Sequence, residues 1–426
     1  MVWTQLTEGF RVALERVGLG GPERLARLEL AIPRDATHGD WTTNLALLLA
    51  RDAGKPPRVL AQALADAFPR DPQLFESVEV AGPGFVNVRY TPRFLDALPA
   101  AIRAADERFG RSESGGDVAV QVEYVSANPT GPLNVVSARA AAVGAALVRL
   151  LNAVGYRASG EFYVNDAGRQ VDLLGESLAA RCAERIGVPR PFPEEGYRGT
   201  YVAEIAAELP VEEAKAALER GDTGWFRDQA LERMLDWQRK DLAEYGAEFS
   251  RWFRESELHA TGAVGETLAE LTARGMTYRA RQPETVSGDR PPGREAEETE
   301  LEEATFLRTA RFGDDMDRVI VRSNGAPTYL LPDIAYHRNK RARGFRHVID
   351  LWGPDHHGYV PQLKAALLAL GLEPDFLDVL IVQQVNLLSS GQAVKMSKRA
   401  GEFVTLRDLM EDVGADCAKF FFLMRS

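Results

Sequence analysis

The chain has 426 residues, 45% of them apolar and 27% charged, with a net charge of −11, which excludes a disordered or fibrous protein. "MVWTQLTEGF" carries no basic-then-apolar leader, and no uninterrupted apolar run reaches bilayer length. Two isolated cysteines, Cys182 and Cys417, argue against a disulfide scaffold or a cysteine zinc site and predict a cytoplasmic protein.

The length predicts two or three domains. Residues 1–108 read as a small α+β domain. "RVLAQALADAF" (58–68) has helical apolar spacing, and "FESVEVAGPGFVNVRY" (75–90) reads as two strands around Gly82-Pro83-Gly84. A polar, Gly/Ser-rich linker follows at 109–117. "VAVQVEYVSA" (118–127) is apolar enough for a buried parallel strand, and the loop "NPTGP" leads into an amphipathic helix, 133–155. A second strand, "ASGEFYVND" (158–166), completes a βαβ unit and predicts a Rossmann-type parallel sheet over 118–426.

Residues of about 180–285 are helical by pattern and read as an insertion into this sheet. An acidic surface loop is expected at about 290–304, with six glutamates between Glu295 and Glu303. Strand-like runs resume at 317–323, 347–353 and 378–388. The chain closes on "ADCAKFFFLMRS", an apolar helix that needs cover. The acid is unevenly placed, since residues 1–110 are close to charge-balanced, so charge alone leaves the partner open.

Four constellations carry chemistry. "VKMSKRAG" (394–401) sets two ammonium groups on a loop, suited to charge developing on a triphosphate; a solvated basic loop is the plain alternative. "EYVSANPTGPLNVVSAR" (123–139) is a strand, a loop and a helix N-terminus, a junction that offers free N–H groups to phosphate but recurs at most βα turns. "LWGPDHHGYVP" (351–361) sets Asp355 behind a strand-ending Gly353, where a carboxylate can hold ribose hydroxyls. A metal pair of His356 and His357 is disfavoured because adjacent side chains diverge and no third ligand is evident. In "PTYLLPDIAYH" (327–337), Tyr329 and Asp333 are one helical turn apart and suit a guanidinium; a core aromatic and an N-cap aspartate are the alternative.

The order of these segments describes a class I aminoacyl-tRNA synthetase. "VEYVSANPTGPL", "EFYVNDAGRQ", "DIAYH", "WGPDHHGYVPQLKAAL" and "VKMSKRAGEFVTL" resemble the bacterial arginyl-tRNA synthetases, and "HGDWTTNLALLLAR" and "GPGFVNVRY" resemble that family's N-terminal addition. The resemblance implies an arginine–tRNA ligase that forms arginyl-adenylate from arginine and ATP with Mg2+, then transfers arginine to the terminal adenosine of tRNA. It implies an arginine site of Glu123, Ser126, Asn128, Tyr329 and Asp333, and catalytic Lys395 and Lys398 with Met396 and Ser397 on the same loop. Gly353, Asp355 and His356 would lie at the adenosine, and Asn87 would contact tRNA. A monomer is expected, with no structural metal and no membrane or DNA partner.

Two departures stand against the family pattern. Its first signature, His-x-Gly-His, reads Asn134-Val135-Val136-Ser137 here, so Asn134 and Ser137 take the places of the two imidazoles as uncharged donors. Lost donors at a developing charge cost about 3–4 kcal/mol. The family's anticodon-reading helical domain is also expected to be absent. These departures motivate two other functions: a paralogue binding arginine or tRNA without catalysis, and an enzyme activating arginine for a non-tRNA acceptor.

Overall fold

The computed structural model describes residues 2–281, 303–383, 388–389, 392–393 and 404–424. The Lys395–Lys398 loop and all but the last residues of the acidic 290–304 stretch lie outside these. The chain divides into two compact units, Met1–Arg111 and Ser112–Ser426.

In the first unit, α1 (Val2–Arg16), α2 (Pro22–Leu25), α3 (Leu45–Ala53), α4 (Pro57–Ala67) and α5 (Pro92–Ala105) accompany three strands. β1 (Trp41–Thr43), β2 (Phe75–Ala81) and β3 (Phe85–Tyr90) form an antiparallel sheet with β3 in the middle. The apolar spacing of α1 and α4 places Leu6, Phe10, Leu60 and Leu64 on Val86 and Val88 of β3. A run of rings from Phe10 through Phe68, Phe75 and Tyr90 to Phe94, with centroids 4.5–5.4 Å apart, knits helices to sheet.

The second unit is built on five parallel strands. β4 (Ala119–Glu123) leads through α6 (Val135–Ala153) to β5 (Arg157–Val164). α7 (Arg169–Ile186), α8 (Thr200–Glu208), α9 (Val211–Arg220) and α10 (Thr223–Glu244) pack around Leu174, Tyr201, Phe226 and Met234 before β6 (Arg251–Arg254). Next come α11 (Glu255–Ala260), α12 (Ala263–Ala273), β7 (Thr277–Arg281), β8 (Glu303–Leu307), β9 (Arg318–Val321) and α13 (Leu330–Ala342). β10 (His347–Trp352), α14 (Val360–Ala369) and β11 (Leu377–Ile381) complete the sheet, in the order β11-β10-β4-β5-β6. A two-residue hairpin, β12 (Leu388–Ser389) and β13 (Gln392–Ala393), precedes α15 (Leu406–Val413) and α16 (Ala415–Met424).

Every residue of β4 is buried, Gln121 and Glu123 included, as befits a central parallel strand covered on both faces. α6 packs its small residues, Ala138, Ala141, Ala142 and Ala145, close against one face of the sheet. Gly144 is required there, because a Cβ would stand 2.2 Å from Cγ of Tyr124. At 19 residues α6 also meets the length and composition of a membrane span, but Arg139 and Arg149 interrupt its apolar run and its buried face belongs to this core.

One reading is corrected: residues 318–321 do not join the parallel sheet; they pair antiparallel with β8 in a separate β7-β8-β9 sheet. The 180–285 stretch is mostly helical, and within it β6 extends the parallel sheet beside β5 and β7 opens the antiparallel one. The polar 109–117 stretch docks by its backbone: Ser112, Gly115 and Asp117 donate N–H groups to carbonyls at the end of α6. At the far end, α16 sets Ala418 and Phe422 on the core and leaves Phe420 and Phe421 exposed.

Candidate active site

The order of the sheet reverses between β4 and β10, and the crevice outside the carboxyl ends of such strands is where open α/β sheets take ligands. Strand register sets Glu123 of β4 between Asp350 of β10 and Glu161 of β5. Three carboxylates in neighbouring strands, about 5 Å apart, require compensation. α13 and its C-cap supply it, because His337, Lys340 and Arg343 recur three residues apart on the side that meets the sheet.

Lys340 is fully buried, and its ammonium donates to Glu123 Oε2 at 2.7 Å and Asp350 Oδ1 at 2.9 Å. Its nitrogen also lies 4.3 Å from the centre of the Tyr336 ring. Arg343 grips Glu161 with two bonds, at 2.5 and 2.8 Å, and the Tyr336 hydroxyl donates to Glu161 Oε1 at 2.7 Å. His337 bridges the Asp333 carbonyl (Nδ1, 2.8 Å) and Asp350 Oδ2 (Nε2, 3.0 Å). Burial alone would raise Asp350, but Lys340 and His337 outweigh it and hold this carboxyl below its ordinary range. Burial also opposes the Lys340 charge and is outweighed by Asp350 and Glu123, so the ammonium is held above its ordinary value. At Glu123 burial prevails over Lys340, and its carboxyl is raised.

The chain leaves β4 through a tight turn. Ser126 N–H donates to the Tyr124 carbonyl at 3.0 Å, with Val125 at φ 71° and Ser126 at φ 41°. Positive φ at a β-branched residue is strained, and such strain persists where the surroundings enforce it. Here Ser126 Oγ donates to Glu123 Oε1 at 3.0 Å and accepts from Tyr163 N–H at 3.0 Å.

Two cavities open above this floor. The smaller, about 270 Å3, is lined by Glu123, Ser126, Asp350 and Gly353. The larger, about 1300 Å3, is lined by Asn128, Glu255, His259 and Tyr329. Tyr163, Asp333, His356 and Tyr359 border both. Asp333 accepts a 2.6 Å bond from the Tyr359 hydroxyl, and no Lys or Arg among the described residues pairs with it. Burial raises its carboxyl, only partly opposed by that bond. Glu255, also raised by burial, shares the larger cavity, and among the described residues its one ion-pair partner is the His259 imidazole, at 3.8 Å. The Tyr163 hydroxyl, facing Glu255 and Asp333 in a buried setting, is pushed far up.

Beside the cavities, Asn134 caps α6. Its Oδ1 accepts Ser137 N–H at 3.2 Å and Ser137 Oγ–H at 3.3 Å, which leaves the amide NH2 as its free-standing donor type. Val135 N–H donates to the Val404 carbonyl, and Leu406 N–H to that of Leu133, so the segment after the Lys-Met-Ser-Lys loop is clipped to this helix start. Gly353 follows β10 and opens the turn that carries Asp355 and His356. Asp355 and His356 are exposed and 3.4 Å apart.

The two cavities bring together Glu123, Ser126, Asn128, Tyr329, Asp333, Gly353 and His356 of the residues expected at arginine and adenosine; Asp355 is not in their lining. The phenol on Asp333 is Tyr359, not Tyr329, because α13 begins only at Leu330; Tyr329 sits before it, 84% exposed on the cavity rim. Asp333 lies inside the first turn of α13 and is not its cap. Asn128 is tied to Gln170 at 3.0 Å. Asn87 is buried in the middle strand of the first unit. Lys395, Met396, Ser397 and Lys398 lie outside the described residues. The sequence reading missed Lys340, Tyr359 and Glu255.

Comparison with known proteins agrees with this architecture. The family description "Arginyl tRNA synthetase N terminal domain" matches residues 4–90, and "tRNA synthetases class I (R), catalytic domain" matches residues 100–419. The chain is 42% identical over 425 residues to the arginine–tRNA ligase of Geobacillus kaustophilus, covering 99% of this chain and 72% of that one. It is 40% identical over 424 residues to that of Bacillus subtilis, with the same coverage. The solved arginyl-tRNA synthetase of Thermus thermophilus has the same fold, with a TM-score of 0.71 over 99% of this chain and 74% of that one at 21% identity.

Proposed function

The chain belongs to the arginyl-tRNA synthetases, and on that premise we propose that it is an arginine–tRNA ligase whose guanidinium site is built on Asp333. ATP is the family's substrate. The arginine carboxylate attacks the α-phosphorus, pyrophosphate leaves, and arginyl-adenylate forms. A ribose hydroxyl of the tRNA's terminal adenosine then attacks the acyl carbon, and AMP departs.

The observation that carries this reading is the unpaired acid at the switch point. Asp333 has a phenol on one oxygen and, among the described residues, no Lys or Arg paired with it, in a cavity wall where burial penalises its charge. A guanidinium would relieve that penalty, since its planar fork fits paired acceptors. Glu255, across the same cavity, is the second acceptor we assign to it. Glu123 is already engaged on both oxygens, by Lys340 and Ser126, so we assign it to the other end of arginine with Ser126. Tyr329 and Asn128 would close the rim.

ATP, entering as its magnesium complex, would set its phosphates at the start of α6, where the helix dipole, the Asn134 amide and the Ser137 hydroxyl favour negative charge. Gly353, Asp355 and His356 would meet the nucleoside. Lys395 and Lys398 would neutralise the departing pyrophosphate. Positioning and charge stabilisation would supply the catalysis, without a covalent enzyme intermediate. The reading extends to a cytoplasmic monomer whose nucleic acid is tRNA and not DNA.

Arginine-dependent ATP–pyrophosphate exchange, run with and without tRNA for arginine, tests the reading. Exchange that needs both arginine and ATP is expected. A folded protein that exchanges under neither condition would overturn it in favour of a binding paralogue.

A further inference from the structure

A buried cluster of charged groups, Glu123, Glu161, Lys340 and Asp350, lies beneath the proposed arginine pocket. Lys340 has no exposed surface, so it touches no substrate. Two of its three N–H groups go to carboxylates on strands that face each other across the switch point, Glu123 on β4 and Asp350 on β10. Nζ also lies over the Tyr336 ring. A buried ammonium is costly and is tolerated where its partners satisfy it fully.

Its removal would strand Glu123 and Asp350 against each other in neighbouring strands. It would also free the Glu123 carboxylate that holds Ser126, at the end of the strained turn after β4. Ser126 in turn accepts from Tyr163, which borders both cavities. The path from Lys340 therefore leads to the arginine side of the crevice. The start of α6, where phosphate is expected, is held by other bonds, from Asn134 and Val404.

We propose that Lys340 is the positioning residue of the arginine pocket, tying Glu123 to Asp350 so that the 123–126 turn presents its acceptors to arginine. This rests on the arginine reading of the site. The other partner of Lys340, Asp350, keeps its bond to His337, so the loss of Lys340 falls chiefly on Glu123, and through it on arginine rather than ATP.

The test compares arginine and ATP KM in exchange, and arginine binding by calorimetry, for wild type, Lys340→Met, Lys340→Arg, Glu123→Gln and Glu123→Gln/Lys340→Met. Lys340→Met is expected to raise the arginine KM about tenfold or more with the ATP KM within about twofold, and Lys340→Arg to recover part of the loss. In the Glu123→Gln background the Met substitution is expected to add less than about twofold, the mark of residues acting as one unit. That double variant removes one buried charge of each sign, so its comparison with Glu123→Gln decides the matter even where Lys340→Met alone does not fold. Equal losses for arginine and ATP, or losses that multiply in the double variant, overturn the proposal. A wild type that neither exchanges nor binds arginine overturns the function reading and this one together.

Discussion

Replacing Asp333 by Asn separates the binding role of this carboxylate from its cost to the fold. The change keeps size and shape, and the amide oxygen can still accept the 2.6 Å bond from Tyr359, so packing is preserved while the charge is lost. Arginine would then face a neutral amide in a crowded wall. Removing one partner of a desolvated ion pair costs about 3–4 kcal/mol, two to three decades in affinity. ATP, set at the start of α6, would lose little.

Stability should move the other way. Burial raises the Asp333 carboxyl in the folded protein above its unfolded value. The folded state then holds the proton more tightly, so this group's contribution is full below the unfolded pKa and is lost as pH rises through the raised one. At neutral pH the ligand-free protein carries that penalty, and Asn removes it. The expected result is a higher Tm for ligand-free Asp333→Asn at pH 7 than for wild type, together with an arginine KM raised by two to three decades. Parallel losses for arginine and ATP, or a lower Tm with intact circular dichroism, would refute the assignment of Asp333.

Three further outcomes are expected. Tyr359→Phe removes the hydroxyl bond to Asp333, worth about 1.5 kcal/mol, and should raise the arginine KM about tenfold in exchange kinetics with kcat little changed. Arginine binding should strengthen as pH rises through the raised pKa values of Asp333 and Glu255 and release protons, read by calorimetry in buffers of different ionisation enthalpy. Asn134→Ala removes the cap of α6 and should cost about 1 kcal/mol in urea unfolding, with a weaker ATP KM.

The parallel sheet was legible because its strands must be buried on both faces. β4 and β10 are runs of β-branched and apolar residues, and the loop and helix after β4 fix a right-handed βαβ unit. β9 carries the same local signal, "RVIV", yet pairs in the antiparallel sheet, because residue type cannot state a partner. β6 is four residues with three partly exposed, too short for any periodicity. In the site, Asp333 was legible from its place in a helix, but Tyr359 lies 26 residues away, and only the packing of β10's following turn brings it there. A signal for the buried network was present. Asp333, His337 and Lys340 sit at i, i+4 and i+7, a polar stripe on the face that α13 turns to the sheet.

The altered first signature gains a physical reading from the same geometry. Much of a helix N-terminus's pull on phosphate comes from its backbone, and the backbone of α6 is intact, capped and clipped by Val404 and Leu406. Asn134 spends its oxygen on the cap, so it offers phosphate only its NH2, whereas an imidazole there would keep a ring N–H and could carry charge. The substitution therefore exchanges a chargeable donor for a better cap. On the proposed assignment its cost would fall on stabilisation of the developing triphosphate charge and leave arginine recognition alone, because the two rest on separate bonds: one set at the start of α6, the other on α13 and the ends of β4 and β10.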